Sequence, residues 1–302
     1  TPSTDLNNAD LIVCTEAMTG NKTMSNGMKA FAGVTPMIGL KAFNYTNGRW
    51  SWGTPANPDP TANAFTPKSA LYKVLDGVTF EEDGTIKLAT ATSGNVIQTV
   101  EFGTTDCTAP TGNAILGTIG GADSKAVMYT SNKYFGLGLS SDCWSKYTTN
   151  ATTIVKNAAA MLIAGEDLTL ITATIPASGY ATLSSTLALD FTKASPSLTA
   201  YKATSASASG VTIVAIDNAP ANTGVIIAGA AGTHTIPVAA TVTADLTDNK
   251  MLPGDGSTTF TGSTYDYILA SDGKFHQISS GTVAVGKAYL HLTADPADPA
   301  RT

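Results

Sequence analysis

The sequence predicts an α/β domain followed by an all-β module. Up to residue 165, short continuous apolar runs precede one clear amphipathic helix, a pattern typical of α/β layers. After residue 165, short β-type runs alternate with turn signals and no helical pattern follows. A chain of 302 residues also exceeds the usual size of a single core. We therefore expect domains over residues 1–165 and 166–295, and a tail over residues 296–302.

The first domain opens with two apolar runs, at residues 11–14 and 36–40, that suit buried parallel strands. A short helix is expected over residues 25–31, between these runs. Residues 44–67 are rich in Asn, Pro, Gly and Thr, and this composition predicts a long loop. Further strands are expected over residues 78–88, 94–102, 114–119, 126–129 and 134–139.

The clearest helix is expected over residues 150–163, where Gly165 is placed to end it. Its apolar side chains recur at helical spacing on one face: Ile154, Val155, Ala158, Met161 and Leu162.

The second domain shows a regular series of short strands, which predicts a β-sandwich or barrel. The strands are expected over residues 168–175, 180–183, 198–201, 211–216, 224–227, 233–236, 267–269, 275–278 and 287–292.

Composition limits the classes of partner. Charged residues make up only 13% of the chain, the net charge is −6 and the pI is about 4.9. Because nucleic-acid binding needs a basic surface, we expect no nucleic-acid partner. No apolar run approaches 18 residues, so no transmembrane segment is expected. The low charge and the abundance of Thr, Ser, Ala and Gly are typical of exported bacterial surface proteins.

The three cysteines are too few for a disulfide scaffold and lack metal-binding spacing. Cys14 lies in an apolar run and is expected to be a buried, inert thiol. Cys107 and Cys143 lie in loop-like sequence; they either form a disulfide in an oxidising compartment or stay free.

Acidic residues of the β module offer two interpretations. Their oxygen atoms are suited to Ca²⁺, but their spacing matches no calcium-binding loop, which favours solvated turns. The residues are Asp245, Asp248, Asp255 and Asp272. We therefore predict no metal and no cofactor.

An ordered string of motifs runs through the second domain, including residues 175–183, 198–201, 220–227 and 286–290. This string resembles a β-rich accessory module of exported Bacteroidetes proteins. The resemblance implies an extracellular or outer-surface location and no chemistry of its own.

Residues 9–13, 36–41 and 134–142 resemble segments of a flavodoxin-like domain. Class I glutamine amidotransferases and trehalose-utilisation (ThuA-like) proteins share this domain. The resemblance implies a doubly wound sheet, here incomplete because the first strand and helix of such a domain are missing before Thr1.

The departures from this family bear on catalysis. Where the amidotransferases carry a nucleophilic cysteine, this sequence has Lys41, and no histidine occurs near residues 140–142. All three histidines, His234, His276 and His291, lie in the β module. A non-catalytic version of the domain is therefore expected.

The strongest candidate site is the segment of residues 44–57, which clusters Tyr45, Arg49, Trp50 and Trp52. Exposed aromatic rings can stack on sugars, and arginine can hydrogen-bond to hydroxyl or carboxylate groups. The alternative is that both tryptophans are buried and hold the segment to its own domain.

A second candidate is the carboxyl edge of the predicted sheet, where open α/β sheets place their ligands. Glu16 ends the first apolar run, and the resemblance brings Lys41 and Asp142 to the same edge. These residues either line a ligand site, or Glu16 and Lys41 form an ion pair that fills an inactive one.

Three functions remain open on the sequence. The first is a non-catalytic secreted or surface protein that binds a glycan or a partner protein. The second is a hydrolase or lyase, acting on carbohydrate, that uses the α/β edge. The third is a structural subunit of a surface assembly, because Thr-rich, weakly charged strands favour association through sheet edges.

Overall fold

The computed structural model describes residues 6, 8–15, 22–56, 62–90, 96–140, 145–262 and 264–296. The chain divides into two compact units, Thr1–Thr169 and Leu170–Thr302, close to the boundary expected at residue 165. The chain is mostly β, with helices described only in the first unit apart from a single 3₁₀ turn, Phe191–Lys193, in the second.

The first unit contains two α-helices, α1 (Lys22–Lys29) and α2 (Thr149–Ile163). Its described strands are β1 (Ile12–Cys14), β2 (Met37–Gly39), β3 (Gly53–Ala56), β4 (Ala64–Pro67), β5 (Ile86–Lys87), β6 (Thr99–Phe102), β7 (Ala114–Thr118), β8 (Ala126–Ser131) and β9 (Tyr134–Leu137).

These strands form one curled, mixed sheet in the order β1-β2-β9-β8-β7-β4-β5, with β6 joining β3 to β8. Pairing is parallel between β1 and β2 and between β2 and β9. All other described pairs of this sheet are antiparallel. The predicted parallel sheet is thus limited to three strands, and the rest of the sheet departs from a doubly wound arrangement.

The turn between β8 and β9 explains this departure. Only Asn132 and Lys133 separate the two strands, and Asn132 adopts a φ of 45°. A two-residue connection can only join antiparallel neighbours, and asparagine tolerates positive φ better than most residues. Two runs that were both expected as strands of an α/β layer therefore form a hairpin.

The segment predicted as one long loop, residues 44–67, contains two strands, so that prediction was wrong. β3 pairs with β6, placing Gly53 opposite Phe102, and β4 pairs with β5 and β7. Residues 78–80, predicted as part of a strand, have no regular structure.

Helix α2 matches the predicted helix and buries one apolar face, including Ile154, Ala158 and Leu162. Two asparagines tie the helix to the chain that precedes β5. Asn150 donates to the carbonyl of Thr79 at 2.9 Å, and Asn157 donates to two further carbonyl groups. Neither described helix is long and apolar enough to cross a membrane.

The second unit is built from strands. They are β10 (Ile171–Ile175), β11 (Tyr180–Ser185), β12 (Leu189–Asp190), β13 (Leu198–Ser207), β14 (Gly210–Ile216), β15 (Asn218–Ala219), β16 (Thr223–Gly229), β17 (Gly232–Ile236), β18 (Met251–Pro253), β19 (Thr259–Phe260), β20 (Tyr265–Leu269), β21 (Phe275–Gln277), β22 (Gly281–Thr282) and β23 (Ala288–Leu292).

Two four-stranded antiparallel sheets dominate this unit, in the orders β11-β16-β13-β14 and β18-β23-β20-β21. Residues from both sheets share one buried cluster: Ala203, Ile226, Met251, Ala288 and Leu290. Three two-stranded sheets complete the unit: β10–β17, β12–β15 and β19–β22. Every strand that the sequence predicted here overlaps an observed one, and the strands it missed are two or three residues long.

Candidate functional site

The first unit contains a cavity of about 530 Å³ beside the aromatic segment that the sequence singled out. One wall is formed by Trp50, Ser51 and Trp52. Asp106 and residues 108–111 also line the cavity. Its volume lies within the range of small-molecule binding sites in proteins.

The other lining residues show where the cavity lies in the fold. Lys29, Ala32 and Gly33 lie at and just after the end of α1, before β2 begins. Ser131 and Asn132 lie at the turn that precedes β9. The cavity therefore sits at the amino ends of the parallel strands β2 and β9, opposite the carboxyl edge where the sequence placed a ligand.

The aromatic side chains of this segment are buried, so the expectation of exposed sugar-stacking rings was wrong. Tyr45 and Trp50 are 0% exposed and Trp52 is 9% exposed. The ring of Trp52 stacks on Tyr45 at a centroid distance of 5.6 Å and meets the ring of Trp50 edge-on at 4.7 Å. The alternative interpretation, in which the tryptophans hold the segment to its own domain, is the one that the structure supports.

Hydrogen bonds explain why Trp50 is fully buried. Its indole Nε1 donates to the carbonyl oxygen of Ser25 at 2.7 Å, and the Ser25 hydroxyl donates to Asn44 at 3.0 Å. Lys29 Nζ donates to the carbonyl oxygen of Trp50. The indole N–H and the carbonyl of Trp50 are thereby paired inside the domain, which offsets the cost of burying them.

The backbone of the segment is held in the same way. Ser51 adopts a φ of 53°, which turns the chain between the two tryptophans. The carbonyl of Ser51 accepts from the N–H of Thr108 at 2.9 Å, and the carbonyl of Trp52 accepts from Gly103 at 3.1 Å. The first of these bonds joins two residues of the cavity lining, Ser51 and Thr108.

Three tyrosines lie beneath the tryptophans, and the hydroxyl groups of Tyr45 and Tyr134 are hydrogen-bonded. Burial raises the pKa of Tyr45, Tyr129 and Tyr134 well above the ordinary range of tyrosine. These phenols are therefore neutral at physiological pH and form part of the core beneath the cavity.

Two glycines on neighbouring strands make room for these rings. Gly39 of β2 lies opposite Gly136 of β9. A Cβ atom on Gly39 would overlap the hydroxyl of Tyr134, and a Cβ atom on Gly136 would overlap the ring of Tyr129. The absence of side chains at both positions lets the rings lie flat on the sheet.

The polar lining suits a neutral or weakly charged ligand. Hydroxyl groups of Ser51, Thr108 and Thr111 and the amide of Asn132 offer both donors and acceptors. Lys29 and Asp106 add one charge of each sign. Such a lining can hydrogen-bond to several hydroxyl groups of one ligand.

The predicted carboxyl-edge site is only partly described. Lys41 follows β2 and directly precedes the 3₁₀ turn Ala42–Tyr45, where it is half-buried and does not line the cavity. Glu16 and Asp142 lie outside the described residues. The grouping of these three residues, and the hydrolase or lyase activity that depends on it, stay predictions.

Arg49 is half-buried in the turn after Tyr45, where its backbone N–H donates to the carbonyl of Thr46 at 3.1 Å. It does not line the cavity.

Cys14 is buried as expected, and burial raises its pKa to about 11. Cys107 carries a free thiol that contacts the carbonyl of Gly53 at 3.6 Å. Cys143 lies outside the described residues, and the free thiol of Cys107 is the second of the two alternatives that the sequence left open.

The acidic residues of the β module cap turns. Backbone N–H groups two residues later donate to their carboxylates at 2.8–3.0 Å, in Asp245, Asp255 and Asp272. No cluster of metal-ligating side chains occurs among the described residues. This arrangement supports the interpretation as solvated turns.

The sequence did not predict that Asp106 and residues 108–111 would line the cavity. Asp106 and residues 108–111 carry no periodicity, and only turn-forming residues such as Pro110 mark them as a loop. Asn132 had a usable signal, because an asparagine between two apolar runs indicates a tight hairpin. No protein-family model matches the sequence, and no curated protein is significantly similar to it.

Proposed function

We propose that this chain is a non-catalytic, secreted or cell-surface bacterial protein that binds a carbohydrate in the cavity beside Trp50, Ser51 and Trp52. The observation that carries the proposal is the composition of this cavity, a space of about 530 Å³ in which the exposed edge of Trp52 lies among hydroxyl and amide groups. Sugars combine apolar ring faces with many hydroxyl groups, so both parts of the lining have a counterpart in the ligand.

The rigidity of the wall supports binding. The tryptophans contact each other and Tyr45, and their backbone carbonyls are hydrogen-bonded. A wall that is ordered before the ligand arrives loses little conformational entropy on binding. With Trp50 fully buried and Trp52 9% exposed, the Trp52 indole supplies a narrow apolar edge, and the hydroxyl and amide groups of the lining supply hydrogen bonds for specificity.

The non-catalytic part of the proposal rests on the departures from the amidotransferase pattern. Lys41 stands where the nucleophile would be, and all three histidines belong to the second unit. A Cys/His mechanism of that family therefore lacks its cysteine at the nucleophile position and has no histidine base in the first unit.

The fold relationship and the location are also part of the proposal. The parallel arrangement of β1, β2 and β9, with α1 between β1 and β2 in the chain, supports a reduced flavodoxin-like domain. The paired antiparallel sheets of the second unit support a β-sandwich accessory module. The resemblance of this module to exported Bacteroidetes proteins, together with the low charge, supports an extracellular or outer-surface location.

A glycan array followed by isothermal titration calorimetry tests the proposal. Wild-type protein is expected to bind at least one class of glycan. Thr111→Trp fills the cavity from an exposed position and is expected to abolish that binding. Thr152→Trp, at an exposed position on α2, is the matched control and should bind like the wild type. Wild-type protein that binds no glycan, or two variants that bind alike, would contradict the proposal.

A further inference from the structure

Three sheet edges of the second unit, at β11, β18 and β21, are protected against pairing with another chain. The outer edge of β11 is covered, since the N–H of Ser184 donates to the carbonyl of Gly286 at 3.1 Å. β18 is three residues long and ends in Pro253. β21 is also three residues long and carries His276, which is paired with Asp272 at 3.0 Å. Short length, proline and charge are the usual means by which proteins protect exposed edges.

β14 lacks each of these protections. It has seven residues, Gly210–Ile216, and contains neither proline nor a charged side chain. It pairs with β13 on one side and is the last strand of its sheet among the described residues. Its backbone therefore presents a long, neutral row of donors and acceptors on the free side.

The side chains of β14 fit an extended sheet on both faces. Val211 and Ile213 point inward, where they are half-buried and line an apolar cleft of about 550 Å³ together with Leu269 and Phe275. Val214 lies on the outer face and is 45% exposed. The core of this unit is thus left partly open at the β14 edge.

We propose that β14 is a self-association edge, at which it pairs antiparallel with β14 of a second copy of this chain. A two-fold axis demands a self-complementary edge. A register centred on Ile213, the midpoint of the strand, places Thr212 opposite Val214 of the second copy. Inward residues then face inward neighbours, and outward residues face outward neighbours.

Charge makes this edge a suitable place for a second copy to bind. The chain carries a net charge of −6, so two copies repel each other in general. The β14 edge brings no like charges together, because none of its seven residues is ionisable. This proposal lies in the second unit and does not depend on the carbohydrate site.

Sedimentation velocity on the full chain tests the pairing. Wild-type protein is expected to sediment as a dimer of the 30.8 kDa chain, with a measurable monomer–dimer equilibrium. The double variant Thr212→Asp, Val214→Asp places a carboxylate opposite a carboxylate twice in the proposed register. Since like charges directly opposite each other destabilise a strand pair, dimerisation should weaken by about tenfold or more.

Two further measurements keep the test specific. Mixing the Asp double variant with Thr212→Lys, Val214→Lys should restore a dimer, because opposite charges now face each other. Ser197→Asp, Thr199→Asp places the same charges at exposed positions away from the edge and should leave the dimer unchanged. Far-UV circular dichroism checks that each variant is folded.

A wild-type chain that stays monomeric at its highest soluble concentration would overturn the proposal. A dimer that the Asp double variant does not weaken, or one that the mixed Asp and Lys variants do not restore, would also overturn it.

Discussion

At the scale of single residues, the environment of Trp50 and Trp52 is set by contacts from distant parts of the chain. Trp50 and Trp52 do line a cavity, as expected of a candidate site. Their burial was one of two open alternatives, because it depends on Tyr129 and Tyr134, which lie some eighty residues further along the chain. No local pattern reports contacts of such long range. The loop residues that also line the cavity carried only turn signals, such as Pro110.

The hydrogen bond of the Trp50 indole allows a direct test of this environment. Trp50→Phe removes the indole donor that the carbonyl oxygen of Ser25 accepts from inside the domain. We expect the free energy of unfolding to fall by about 1–3 kcal/mol. Denaturant titration followed by tryptophan fluorescence measures it, because all three tryptophans belong to the first unit.

Phe43→Ala is the control for this variant. Phe43 is 44% exposed in the same segment, and its loss should cost about 0.5 kcal/mol or less. Equal effects of the two substitutions would contradict the assigned role of the Trp50 indole.

The close approach of Tyr134 to Gly39 leads to a second prediction. Gly39→Ala forces the new methyl group against the Tyr134 hydroxyl and should destabilise the first unit by roughly 1–3 kcal/mol or more. The same substitution in a Tyr134→Phe background should cost less, because the nearest atom is then gone. A double-mutant cycle measures this difference, and strict additivity would contradict the predicted contact.

At the scale of elements, regular patterns were predictable and short strands were not. Helix α2 and the longer strands of the second unit follow from apolar periodicity. The sequence did not predict β3 and β4, because each has four residues and a proline, and because their partner strands are distant in sequence. The mixed sheet was missed for a related reason. Strand direction depends on the turn at Asn132, and an apolar run looks the same in either direction.

The attachment of α2 gives an element-scale prediction. Asn157 reads as a surface residue in the helical pattern, yet its side chain donates to the carbonyls of Val74 and Asp76 at 3.0 and 2.8 Å. Asn157→Leu keeps the volume and removes both bonds, so unfolding free energy should fall by about 1–3 kcal/mol. Lys156→Leu, at the exposed neighbouring position, should change it by about 0.5 kcal/mol or less. Thermal or urea unfolding of both variants separates the two cases.

At the scale of the whole molecule, each unit has its own buried cluster, and the change of pattern near residue 165 preceded the observed boundary by a few residues. This division was predictable because helical and β periodicities differ strongly. The distribution of buried ionisable groups could not be predicted, and it differs between the two units. Cys14 and the tyrosines with the most strongly raised pKa values all lie in the first unit.

This distribution predicts that the first unit is sensitive to alkali. The unfolded chain releases the Cys14 proton near its ordinary pKa of about 8.5, whereas the folded chain holds it until about pH 11. Between these values the unfolded state binds fewer protons, so the free energy of unfolding falls as pH rises. The raised pKa of Tyr45, Tyr129 and Tyr134 extends the fall above about pH 10.

Urea midpoints measured by tryptophan fluorescence from neutral to alkaline pH check this expectation. Cys14→Ala should reduce the loss of stability that begins at about pH 8.5, and Tyr129→Phe should reduce the loss above about pH 10. Unchanged pH profiles in both variants would show that other groups control alkaline stability.

The packing of Trp50 against Trp52 also gives the protein an optical signature. The two indoles meet at 76° and 4.7 Å, inside an asymmetric array of tyrosine rings. Electronic transitions in rings held so close and at fixed angles couple, and the coupling generates strong near-ultraviolet circular dichroism. The signal vanishes once fixed tertiary packing is lost, even where secondary structure persists. The long-wavelength tryptophan band is therefore a built-in reporter of order at the cavity wall, which a bound sugar would perturb without any added label.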